Sequence, residues 1–131
     1  MKVAFSSSTG TCVDENFGSV ASFSIWDIGP REAVYVTSLE MKDPPQGKEA
    51  RLVALASILT DCAIVCSRAI SGPAAAKLIA RNVYPLPTRE VTPVEEIIGR
   101  LQAVLEGSPP PWMRKAQTRE LADRFNRYGK P

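Results

Sequence analysis

The chain has 131 residues, 44% of them hydrophobic and 23% charged, which suits one good core, is too short for two ordinary domains and argues against global disorder. A net charge of +2 is too small to argue for nucleic acid, and no apolar run approaches the ~20 residues that span a bilayer. Met1 to Phe5 is too short for a signal core and three irregularly spaced cysteines make no disulfide framework, so a cytoplasmic protein with free thiols is expected.

The first predicted element is a strand from Lys2 to Ser7, with Val3 and Phe5 on one face. Ser8-Thr9-Gly10-Thr11 then signals a loop, and residues 13–19 have no clear period. Ser22 to Ile28 and Ala33 to Leu39 both alternate, and Gly29-Pro30-Arg31-Glu32 between them completes a β-hairpin. Lys48 to Thr60 places Leu52, Leu55, Ala56 and Leu59 at helical spacing. Cys62 to Cys66 is short and apolar on both faces, the pattern of a strand buried between layers.

A second helix, Ala74 to Arg81, follows Ile70-Ser71-Gly72-Pro73, with Pro73 suited to its first position. Val83 to Leu86 is a short strand whose proline favours an edge. Thr92, Pro93 and Glu95 have the capping-box spacing for a third helix that runs to Leu105 and stops at Gly107. The order β, ββ, α-β-α-β-α predicts an α/β fold: a mixed five-stranded sheet flanked by helices.

Residues 1–107 therefore form the expected domain, and 108–131 a proline spacer followed by a basic tail. In that tail Arg114, Lys115, Arg119, Arg124, Arg127 and Lys130 face only Glu120 and Asp123, which leaves the body mildly acidic. Leu121 and Phe125 sit at helical spacing within Trp112 to Arg127, so this segment reads either as a docked helix or as partly disordered.

The chain has no histidine, so neither a Ser–His–Asp nor a Cys–His arrangement is available, and Cys₂His₂ zinc sites are excluded. Gly-rich phosphate cradles are absent too. Binding is a better expectation than catalysis. The first loop gathers Ser8, Thr9 and Cys12 after the first strand, where open α/β sheets bind ligands, although a plain surface turn has the same composition. Cys62 and Cys66 share a strand face at roughly 13 Å, too far to chelate one ion, with Cys62 read as core and Cys66 as able to reach the rim of Cys12. Ser71 and Gly72 open a helix whose first N–H groups suit an anion, with Arg68 nearby, and ordinary helix entry is equally open. Asp14, Glu15 and Asp27 are poorly placed for two-metal hydrolysis.

Lys2-Val3-Ala4-Phe5, Val13-Asp14-x-x-Phe17-Gly18-Ser19 and Phe23-x-Ile25 resemble the start of the dinitrogenase iron–molybdenum cofactor biosynthesis family, the NifX/NafY family. Asp61-Cys62-Ala63-x-Val65, Gly72-Pro73-Ala74-Ala75 and Val83-Tyr84-Pro85 resemble its second half, and Pro109 to Lys115 is similar to the ending of its NifX members. The resemblance spans residues 1–116 and implies a ribonuclease H-like fold. It also implies a non-catalytic carrier that holds an iron–sulfur precursor of the iron–molybdenum cofactor and exchanges it with scaffold and precursor-synthesising assembly proteins, with no nucleic acid or membrane partner. Many relatives have His-Phe-Gly where this chain has Asn16-Phe17-Gly18. Three outcomes stay open: a cysteine, Cys12 or Cys66, takes over as iron ligand, binding is weaker, or no cluster is carried. Two competing readings are an interaction module working through the basic tail and, less favoured, a ribonuclease H-like hydrolase.

Overall fold

A computed structural model describes residues 1–115. Its main sheet has five strands: β1 (Lys2–Ser6), β3 (Ser22–Ile28), β4 (Ala33–Glu40), β5 (Ile64–Ser67) and β6 (Tyr84–Pro87), in the order β4-β3-β1-β5-β6. β3 runs antiparallel to β1 and β4, whereas β1, β5 and β6 are parallel. The mixed sheet read from the sequence is therefore present. A second ribbon pairs β2 (Cys12–Val13) with β7 (Thr92–Pro93), Cys12 opposite Pro93.

Alternation divides the core into two layers. Val3 and Phe5 of β1, Ile28 of β3 and Ile64 and Cys66 of β5 pack against α3 (Val94–Glu106) through Ile97, Ile98 and Leu101. Ala4, Phe23, Ile25 and Val65 face the other way, onto α1 (Lys48–Ile58) and α2 (Gly72–Ala80). Period-two strands feeding two apolar helical faces require this sandwich.

Three details depart from the sequence reading. Cys62 is not on the strand. A turn donates its N–H to the carbonyl of Leu59, and its side chain joins the α1/α2 layer while Cys66 joins the α3 layer. Thr92 caps no helix, because it lies in β7 and its hydroxyl donates to the carbonyl of Glu90 at 2.8 Å; α3 begins after Pro93 without a side-chain cap. Ser71 is the true cap of α2, accepting the N–H of Ala74 at 3.3 Å.

Both sheet edges are blunted. β6 donates inward from Tyr84, while Pro85 and Pro87 have no N–H to offer. On β4 the register passes from Thr37 opposite Ile25 to Tyr35 opposite Trp26, leaving Val36 as a bulge. Beyond the prolines the chain turns back onto the sheet: Met113 is buried in the α3 layer and Trp112 stacks on Tyr84 with ring centroids 4.2 Å apart. The tail expected after Lys115 lies outside the described residues.

Candidate functional site

The carboxyl ends of the parallel pair β1 and β5 are joined by a hydroxyl–hydroxyl bond of 2.5 Å between the fully buried Ser6 and Ser67. The chain leaving β2 lies across these ends. Asp14 and Glu15 donate backbone N–H groups to the Ser6 carbonyl at 3.3 and 3.4 Å, Arg68 donates to Glu15 at 2.9 Å, and Phe17 donates to Ala69 at 3.0 Å. Phe17 is fully buried, so the crossing is anchored by its ring as well as by its backbone.

This crossing creates an open cleft of about 440 Å³. Asn16, Gly18 and Ser19 line one side, Ala69 to Ser71 another, and the first turns of α1 supply Lys48, Arg51 and Leu52. The Arg51 guanidinium fixes the near wall, its Nε donating to the Gly18 carbonyl at 2.7 Å and its Nη2 to that of Val20 at 3.2 Å. The structure thus brings Asn16 and Ser71, both singled out in the sequence, to one cleft, with Gly72 just behind as the first residue of α2. Lys48 and Arg51 were not singled out. Their only signal was two cations in the opening turns of an amphipathic helix, and that pattern does not say where the helix lies.

The first loop is differently employed. Ser8 turns its amide, at 2.9 Å, and its hydroxyl onto the carboxylate of Asp14. Ser7 accepts the N–H groups of Thr9 and Gly10, and the Thr9 and Thr11 hydroxyls bond each other at 3.0 Å. Gly10 permits this tight turn at φ 85°. Ser8 and Thr9 do not line the cleft; their donors are committed to Asp14 and to the loop itself.

Arg68 sits between the two regions, its carbonyl accepting from Arg89 at 2.9 Å. Its Nε, like Oε1 of Glu15, is buried without a hydrogen-bond partner among the described residues. Desolvation opposes ionisation of Asp14, but the Ser8 hydroxyl and amide bonds and the charge of Arg68 outweigh it, holding this carboxyl below its usual value. Burial, with the neighbouring charge of Asp14, pushes Glu15 up.

The thiols separate cleanly. Cys66 does not reach the rim: it is fully buried in the α3 layer, and burial pushes its thiol far above the ordinary range. Cys62 is pushed up to about 12 by burial in the opposite layer. Cys12 is half-buried on the β2–β7 ribbon and does not line the cleft. Among the described residues no group of three or more Cys, Asp or Glu side chains converges to hold a metal ion, and no helix is long and apolar enough to cross a membrane.

A family model described as dinitrogenase iron-molybdenum cofactor matches residues 1–104. Protein NifY of Azotobacter vinelandii is 35% identical over 125 residues, covering 95% of this chain and 51% of the relative, so the chain spans about half of that protein. Protein NifX of the same organism is 32% identical, covering 98% of this chain and 82% of the relative. Protein NifX of Herbaspirillum seropedicae is 31% identical, with 88% and 81% covered. In architecture the chain is similar to the crystal structure of PH0822, with a TM-score of 0.65 and 17% identity over 79% of this chain and 89% of that one.

Proposed function

The chain belongs to the dinitrogenase iron–molybdenum cofactor family, and from that membership we propose that it serves nitrogenase cofactor biosynthesis as a non-catalytic carrier of an iron–sulfur precursor. The observation that carries this reading is the cleft at the carboxyl ends of β1 and β5. It combines Lys48 and Arg51 with the hydrogen-bonding groups of Asn16, Ser19 and Ser71, and none of its lining residues is a carboxylate. Such a lining suits an anion, and iron–sulfur clusters are anionic.

Absence of histidine removes the commonest acid–base group near neutral pH, which favours holding over transforming. A thiolate–iron bond, where one forms, falls to Cys12, because Cys62 and Cys66 are buried and hold their protons. The cargo's donors and acceptors are the scaffold and precursor-synthesising proteins of the pathway. The ribonuclease H-like hydrolase reading is not favoured, since two-metal hydrolysis needs converging carboxylates and no group of three or more acidic side chains converges among the described residues.

The test is anaerobic incubation with an iron–sulfur cluster followed by gel filtration. Broad visible absorbance and iron should co-elute with the protein. Elution without iron would overturn the carrier reading.

A further inference from the structure

A second concavity lies at the opposite pole, beside the amino ends of β5 and β6. Residues 111–115 make a helical turn there, Met113 and Arg114 donating N–H groups to the Pro110 carbonyl at 3.0 and 3.2 Å. Between this turn and the end of α2 runs an open groove of about 200 Å³, whose lining includes Ala63, Ile79, Val83, Tyr84, Trp112 and Lys115. The Tyr84 and Trp112 rings lie parallel within 4°, a flat aromatic pair. Ile79 is 61% exposed and Tyr84 42%, so two large apolar side chains face water. The space suits one aromatic ring, since an apolar cavity of roughly 150 Å³ holds benzene.

Two observations bear on what fills it. The bordering strand β6 has no N–H at Pro85 or Pro87, so an added strand gains no ladder there and the occupant must be held through side chains. The chain also continues from Lys115, itself part of the lining, into residues 116–131, where Leu121 and Phe125 stand among Arg119, Arg124 and Arg127. Each residue adds up to ~3.4 Å of reach, so Phe125 has ample chain to return to the groove. A segment on so short a tether meets its site at about millimolar effective concentration, well above that of a separate micromolar partner. We infer that residues 116–131 dock in the groove of their own chain, with Phe125 seated beside the Tyr84–Trp112 pair and Leu121 against Ile79. Aromatic contact adds to the burial of both side chains. The basic tail is thereby kept at the pole opposite the cleft.

The test is hydrogen exchange on the full chain, read separately over residues 79–84 and 116–131. Phe125→Asp should speed exchange over 79–84 roughly tenfold, and Ile79→Glu should speed it over 116–131 to a similar degree. Ile79 is exposed among the described residues, so its replacement leaves the core intact and the effect on the tail reports the contact. Combining the two changes should add little to either alone, because each breaks the same contact. Wild-type protection should be unchanged by dilution, with sedimentation at the mass of one chain. Exchange over 116–131 at the rate of an unprotected peptide in wild type would overturn the inference. So would protection that fades on dilution together with a two-chain mass, which would assign the groove to a second copy.

Discussion

Arg51 Nε donates to the Gly18 carbonyl at 2.7 Å, tying the second turn of α1 to the loop that carries Asn16. With the second bond to Val20, one side chain holds that wall of the cleft. Arg51→Ala should cost about 1–2 kcal/mol of stability in chemical denaturation, since two carbonyls lose charge-assisted donors while remaining near solvent. Hydrogen exchange should accelerate selectively over residues 17–20. Arg51→Lys keeps the charge but not the fork, so it should restore only part of the protection.

Ser6 and Ser67 satisfy each other in a fully buried setting. Ser67→Ala strands one hydroxyl and should cost ~1–3 kcal/mol; the double change to alanine should cost less than the two single changes together. Additive effects would mean the pair contributes nothing as a pair.

Glu15 supplies a pH dependence. Its carboxyl is raised above the usual 4.5 by burial and by Asp14, so in the window from 4.5 up to its folded value the native chain holds a proton that the unfolded chain has lost. Stability must fall as pH rises through that window. Glu15→Gln removes the burden, so it should be more stable than wild type at neutral pH and indistinguishable below about 4.5, read from urea midpoints. A variant less stable at pH 7 would refute this. Asp14 acts oppositely: its lowered carboxyl contributes stability that is lost as pH falls below its usual 3.8.

Thiol chemistry separates the three cysteines. Cys12, half-exposed, should react promptly with a disulfide reagent under native conditions, while Cys62 and Cys66, buried and proton-bound, should react only at the rate of unfolding. Two fast equivalents would contradict the burial of one of them.

The strands and helices were legible because their side-chain periods are long enough to count. β3 and β4 alternate over seven and eight residues, and α1 and α3 repeat their apolar faces over several turns. The β2–β7 ribbon was illegible because two-residue strands have no period. Thr92 was misread for the same reason: its spacing to Glu95 fits a cap, but pairing with Val13 claims its backbone. Cys62 and Cys66 fell into opposite layers because a turn at Leu59–Cys62 resets the alternation before β5 starts. At the site, Asn16 and Ser71 stood out through a family-like motif and a helix-entry signal. Lys48 and Arg51 did not, because only the crossing of residues 14–17 over β1 and β5 brings α1 beside them.

The most direct measurement is the iron and acid-labile sulfide content of the chain purified anaerobically, at low salt, from nitrogen-fixing cells. The carrier account predicts that iron and sulfide stay with the wild-type protein. Wild-type protein that emerges free of both, from cells actively making the cofactor, would contradict it.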